Sequence, residues 1–340
     1  MLRCERIGHL GCITLNRPEA LNALNQEMIT GIHEALDEWE LDDAIEMILI
    51  RSCRDDLFCA GGDVKALYAA KDRNIEHLVT FFKSEYQMNY RLKTYAKPIM
   101  SLMNGLCMGG GVGLGMHVAY PIIAPDFVFA MPETLIGLFP DVGSSFILNQ
   151  LPASWKNYVG IFGGRLQGSD LEAFHLVEGV IPTQQWPQLI DELSASKKPE
   201  LSIESHIKRR QEVCVKAPHP EFYRFEADDF RNLMENLSLD QGAFFADIHQ
   251  KQASFSPLSM YVTFMQLHLT HGLGFKACLE LDYRLIQHFL KESDFFEGVR
   301  ALLVDKDKKP KWLYEDWKEV PNELVKRFFY QDIIADKQLF

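Results

Sequence analysis

Pro98-Ile99-Met100-Ser101-Leu102-Met103, turning at Asn104-Gly105 and running on to Met108-Gly109-Gly110-Gly111-Val112-Gly113, decides the fold. The first six residues read as a buried strand, the dipeptide as a turn, and the glycine run as a loop. A helix is expected to open beyond it, over Leu114 to Ala119. The same order occurs upstream, where the buried strand Met47-Ile48-Leu49-Ile50 leads to Phe58-Cys59-Ala60-Gly61-Gly62-Asp63. Gly11-Cys12-Ile13-Thr14-Leu15 is a further strand, stopped by Asn16-Arg17-Pro18. Met28, Ile32, Leu36 and Trp39 recur at helical spacing and predict a helix over roughly 25–41. Residues 76–94 read as another helix, and Pro121 to Ala124 and Phe127 to Ala130 as strands. Strand–loop–helix repetition of this kind predicts an α/β architecture.

From about residue 144 the pattern turns helical. Ser194-Ala195-Ser196-Lys197-Lys198-Pro199-Glu200 is the best linker, which divides the chain into regions 1–200 and 201–340. Residues 201–295 carry helical patterns; Ser256 is placed to cap one helix and Pro257 to occupy its first position. Asp305-Lys306-Asp307-Lys308-Lys309-Pro310-Lys311-Trp312 interrupts the pattern.

The 340 residues are 47% hydrophobic and 24% charged, ordinary for a globular protein with a sizeable core. A net charge of −12 disfavours nucleic acid, whose phosphates call for a basic face. The seven cysteines are scattered, without CxxC pairs, and read as buried apolar residues in a reducing compartment. Cys59 and Cys107 flank the glycine loops and are expected to line a site without acting in it. No signal-peptide h-region and no membrane-length apolar run is visible. The expected compartment is the cytoplasm, or an organelle matrix if a presequence was removed.

Each glycine loop can aim a backbone N–H at one oxygen. Beyond them come Met131-Pro132-Glu133-Thr134 and Phe139-Pro140-Asp141-Val142-Gly143, which supply two carboxylates for a proton or a water. Together these suit chemistry at a carbonyl whose oxygen becomes negative in the transition state. The plain alternatives are tight turns for the glycines and a braced turn for Asp141. Gly109, Gly111 and Leu114 fail the dinucleotide-binding fingerprint, and no phosphate-cradling Gly-x-x-x-x-Gly-Lys-Ser/Thr loop exists. The eleven histidines form no HExxH. Lys208-Arg209-Arg210 is short and reads as a solvated helix face.

Leu15-Asn16-Arg17-Pro18, Leu21-Asn22-Ala23-Leu24, Phe58-Cys59-Ala60-Gly61-Gly62-Asp63, Lys97-Pro98, Asn104-Gly105 and Gly109-Gly110-Gly111 together resemble the crotonase (enoyl-CoA hydratase/isomerase) superfamily. The resemblance implies a spiral of ββα repeats followed by a C-terminal helical region, and an acyl-CoA thioester as substrate. It implies an oxyanion hole made by the N–H groups of Gly62 and Gly110. No metal or redox cofactor is implied, since CoA arrives with the substrate. Relatives assemble as trimers or paired trimers, so a homo-oligomer is expected.

One position departs from that pattern. Hydratases of the family read Gly-Gly-Gly-Cys-Glu, whereas this chain has Gly113 where the glutamate would stand. The family's second glutamate matches Glu133, and Asp141 appears where hydratases commonly have glycine. With Phe81-Phe82-Lys83-Ser84-Glu85-Tyr86 and Glu297 to Asp307, this resembles the short 3-hydroxyacyl-CoA thioesterases of valine breakdown. The resemblance implies that Glu133 attacks the carbonyl or activates water, with Asp141 orienting the water or the substrate hydroxyl. It places Glu85 near that hydroxyl and Lys65 near the CoA phosphates. Hydration or isomerisation on the same fold, and silent acyl-CoA binding, are the competing expectations.

Overall fold

The computed structural model describes residues 1–72, 75–199, 203, 206, 207, 215–238, 243–330 and 338–340. The chain divides into two compact units. One comprises Met1–Asp63, Gln87–Ala130 and Arg165–Val215, the other Val64–Tyr86, Met131–Gly164 and Lys216–Phe340. The division expected at residue 200 follows chain order, whereas these units interleave. The reason is visible in hydrogen bonds that tie 131–164 to the C-terminal helices. Ser256 N–H donates to Thr134 O (3.0 Å), and Asn157 Nδ2 donates to Phe225 O (2.7 Å).

The first unit holds two sheets. The larger runs β1 (Leu2–Ile7), β2 (Leu10–Leu15), β3 (Met47–Ser52), β5 (Ile99–Met103), β7 (Tyr120–Ile123) and β10 (Gly179–Val180). The smaller runs β4 (Leu57–Cys59), β6 (Leu106–Met108), β8 (Val128–Ala130) and β9 (Arg165–Gln167). Successive strands alternate sheets: β3 then β4, β5 then β6, β7 then β8. This is the expected spiral, and within each sheet those strands pair in parallel. Parallel strands covered on both faces need continuous apolar runs, which is why Met47 to Ile50 and Ile99 to Met103 show no polar alternation. The core behind the larger sheet gathers Leu10, Leu49, Met100, Leu102, Leu189 and Leu193.

The predicted helix near 25–41 is α1 (Gln26–Glu40), capped by Asn25, which accepts the Met28 N–H at 2.9 Å. Two helices follow, α2 (Val64–Ala69) and α3 (Ile75–Thr94). The helix expected over 114–119 is instead α4 (Gly110–Gly115), which begins inside the glycine run. Low helix propensity hid that start; close packing overrode it. The expected linker begins as the last turn of the helix Trp186–Ala195, where Ser194 O accepts the His9 N–H (2.8 Å). Glu200 and Lys208-Arg209-Arg210 lie outside the described residues. β1, an exposed edge strand, was not expected from sequence.

The second unit is mainly helical, as the C-terminal pattern predicts. It includes the helices Phe230–Ser238, Pro257–Leu269, Phe275–Glu292 and Asn322–Tyr330. Ser256 caps the second of these, its hydroxyl accepting the Ser259 N–H at 3.1 Å. No helix among the described residues is long and apolar enough to cross a membrane.

Candidate active site

In the first unit the structure brings the two glycine loops together. A Cβ built on Gly61 would stand 3.5 Å from Gly110 N, and one on Gly111 would stand 2.7 Å from Cys59 O. Leu24 bridges Gly62 in parallel, through Leu24 N–H to Gly61 O (2.8 Å) and Asp63 N–H to Leu24 O (2.8 Å). Those bonds flank Gly62, so its own N–H stays outside the pairing. Gly110 is the first residue of α4, where N–H groups have no partner in the helix. Gly109, with φ 53° and ψ −127°, makes the sharp entry that only glycine takes comfortably. Both predicted oxyanion donors are therefore backbone N–H groups on adjoining loops.

The other motif residues brace those loops. Asn22 donates to Ser52 Oγ (2.8 Å) and Phe58 O (3.0 Å), and its Oδ1 accepts the Arg17 N–H (2.9 Å). Arg17 pairs with Asp63 at 2.7 Å. Cys59 is buried, with Sγ 3.1 Å from Asn22 O, and burial pushes the Cys107 thiol well up.

The second unit holds a different group. Glu133 opens a 3-10 turn (Glu133–Ile136) after Pro132 and is 7% exposed. Asp141 is 4% exposed, and Glu85, on the second-unit part of α3, is 2% exposed. All three expected carboxylates are thus buried rather than solvated. Tyr86 O–H donates to Asp141 Oδ2 at 2.8 Å. Glu133 Oε2 and Glu85 Oε1 have no hydrogen-bonding partner among the described residues. Lys65 lies exposed on α2.

Burial governs the ionisation of this group. It pushes the Glu133 carboxyl well above the usual range, and the charge of Asp141 adds to the rise. Burial, then Asp141, does the same to Glu85. Asp141 is pushed up to about 6 by burial, against the stabilising bonds from Tyr86 and from a backbone N–H. Crowded carboxyls whose environments push their ionisation apart are the usual equipment of acid–base catalysis.

Three members of this neighbourhood were not expected. Tyr86 follows Glu85 directly. Asp282 and Gln266 come from the C-terminal helices and bond to each other at 2.7 Å. Asp282 was findable: it sits at helical spacing among Cys278, Leu279, Leu285 and Ile286, a carboxylate on an apolar stripe.

The fold and these residues define a crotonase-fold enzyme equipped for work at a carbonyl. The chain belongs to the enoyl-CoA hydratase/isomerase family, whose model matches residues 10–329. It is 36% identical over 335 residues to "3-hydroxyisobutyryl-CoA hydrolase, mitochondrial" of Xenopus tropicalis, covering 95% of this chain and 87% of that one. The Homo sapiens protein of the same name is 34% identical, covering 96% and 87%. Among solved structures, an enoyl-CoA hydratase from Rhodobacter sphaeroides aligns with a TM-score of 0.87 and 30% identity, covering 97% of each chain. A carnitinyl-CoA dehydratase from Mycobacterium thermoresistibile aligns with a TM-score of 0.88 and 27% identity, covering 100% of this chain and 98% of that one.

Proposed function

We propose that this chain hydrolyses a short 3-hydroxyacyl-CoA thioester, 3-hydroxyisobutyryl-CoA, to 3-hydroxyisobutyrate and free CoA, a step of valine breakdown. The observation that carries the reading is the buried pair Glu133 and Asp141, present together with Gly113 in place of the hydratases' glutamate. Glycine can neither hold nor transfer a proton, so addition of water across a double bond lacks one of its two carboxylates. The hydrolase names of relatives about 35% identical over nearly the whole chain support the same choice.

In this reading Gly62 and Gly110 donate their N–H groups to the thioester oxygen as it becomes negative. The family resemblance assigns these donors and the carboxylates to one substrate. Glu133 either attacks the carbonyl and expels CoA thiolate to form an anhydride that water then opens, or takes a proton from water as the water attacks, after which the C–S bond breaks and CoA thiolate leaves. Either route needs Glu133 ionised. Asp141 orients that water or the substrate hydroxyl, and its charge helps set the ionisation of Glu133. Glu85 holds the substrate hydroxyl, and Lys65 meets the CoA phosphates. The reading invokes no metal or redox cofactor and places the protein in an aqueous compartment, cytoplasm or organelle matrix. By resemblance it works as a trimer or hexamer.

The test is release of CoA thiol from 3-hydroxyisobutyryl-CoA, with acetyl-CoA and crotonyl-CoA alongside. Fast release from the hydroxyacyl thioester alone is expected. No release, with crotonyl-CoA losing its enoyl absorbance, would make the protein a hydratase.

A further inference from the structure

Asp141 stands in a loop, Pro140 to Gly143, whose backbone its own residues would not choose. Val142 has φ 53° and Gly143 has φ 71°. A β-branched residue in the left-handed region is a true outlier, and such strain persists only where the surroundings over-determine it. Two side chains provide that constraint here. Asp282, fully buried on the helix Phe275–Glu292, accepts the Gly143 N–H at Oδ2 (2.8 Å) and a Gln266 Nε2 hydrogen at Oδ1 (2.7 Å). Gln266, also fully buried, gives its other amide hydrogen to Pro140 O (2.9 Å). The loop is gripped by its first and last residues, and Asp141 lies between the grips.

We propose that Asp282, acting with Gln266, is a positioning residue for the hydrolysis: it fixes the Pro140–Gly143 loop so that the Asp141 carboxylate keeps one orientation. The inference rests on the hydrolase reading for its consequence in turnover, though the grip on the loop is independent of it. Asp282 holds the loop through the Gly143 N–H and Gln266, and its charge also bears on Asp141 and Tyr86, so it should govern the rate of the chemical step and leave substrate affinity nearly alone.

Asp282→Asn keeps the shape and breaks the logic. Asparagine offers one acceptor oxygen and two donors, so it cannot accept from both Gly143 and Gln266. Turning the Gln266 amide over would set its Oε1 against Pro140 O. One grip is lost in either case. The experiment measures thiol release from 3-hydroxyisobutyryl-CoA per folded molecule, together with hydrogen–deuterium exchange of peptides spanning residues 138–146 in the full-length protein.

The expected result is a kcat about 10- to 100-fold below wild type, KM within about threefold, and faster exchange confined to that segment. Gln266→Leu, which frees Pro140 and removes one of the two donors to Asp282 while leaving the Gly143 bond, should show the same split with a smaller fall. A folded Asp282→Asn protein with wild-type kcat, or with unchanged exchange at 138–146, would overturn the proposal. A merely structural role would lower the folded fraction but leave kcat per folded molecule intact, and that too overturns it. Should Asp282→Asn fail to fold, Gln266→Leu decides by the same two readouts. Wild-type protein that releases no thiol, while exchange still quickens in Asp282→Asn, sinks the hydrolase reading and upholds the grip.

Discussion

The glycine loops of the first unit and the carboxyl group of the second face opposite electrostatic problems. The loops offer neutral backbone donors, and the strands and Asn22 that hold them are hydrogen-bonded in full view of the fold. The second unit buries Glu85, Glu133, Asp141 and Asp282 together, and one oxygen each of Glu85 and Glu133 has no hydrogen-bonding partner among the described residues. Burial raises all four, and the charge of Asp141 adds to the rise of the other three. Donors drawn from backbone come with the fold at little cost. Acids drawn from side chains must be held against their preference for water, so the second region stores instability that the first does not.

The largest effect should come from the carboxyl side. In the proposed mechanism Glu133→Gln removes the group that attacks or deprotonates, and kcat for thiol release should fall by about 100- to 10,000-fold, the usual contribution of a general base. The folded state should lose nothing, because the substitution neutralises a buried acid. Wild-type turnover in this variant would break the comparison at its centre. On the backbone side, Gly111→Ala places a Cβ 2.7 Å from Cys59 O and 2.8 Å from Cys59 Cβ, and so must push the two loops apart. One oxyanion donor out of place costs about 100- to 1000-fold in rate. Here the protein should be destabilised, and the pH dependence of the remaining activity should be unchanged. A shifted pH profile in Gly111→Ala would mean that the two regions do not divide the work as described.

The first region was the more legible in sequence. Glycine at a close backbone approach has no substitute, so Gly61-Gly62 and Gly109-Gly110-Gly111 announced the loops before any coordinates. The apolar runs into β3 and β5 announced the parallel strands. What failed there was local: glycine's poor helix propensity moved the expected start of α4 downstream by four residues, from Gly110 to Leu114. In the second region Glu133 and Asp141 are legible as candidates, yet their surroundings are not visible. Asp282 lies 141 residues beyond Asp141 in the chain, and only tertiary packing brings its carboxylate to Gly143 N–H. A strained valine is likewise silent in sequence, because the residue looks ordinary and only its φ of 53° is not. The interleaving of the two units follows the same logic. Bonds such as Ser256 N–H to Thr134 O join stretches that a pass along the chain keeps apart.

The smallest effect sharpens the comparison most, since it turns on sign. Asp141 ionises near 3.8 in an unfolded chain and is pushed up to about 6 in the folded protein. A carboxyl raised on folding keeps its proton longer in the native state than in the unfolded one. As pH climbs from 3.8 through 6, the unfolded chain releases this proton first, and stability falls. Once pH exceeds 6 the loss amounts to about 3 kcal/mol from this group. Asp141→Asn removes the titration while keeping an oxygen for the Tyr86 O–H. Its melting temperature should therefore match wild type near pH 4 and exceed it by several degrees at pH 7.5, although turnover is lost. Gly111→Ala should instead lower the melting temperature by the same amount at both pH values, because a steric clash carries no proton. If Asp141→Asn gives an equal shift at pH 4 and pH 7.5, Asp141 ionises as an ordinary surface carboxylate, and the stored instability assigned to the second region is not there.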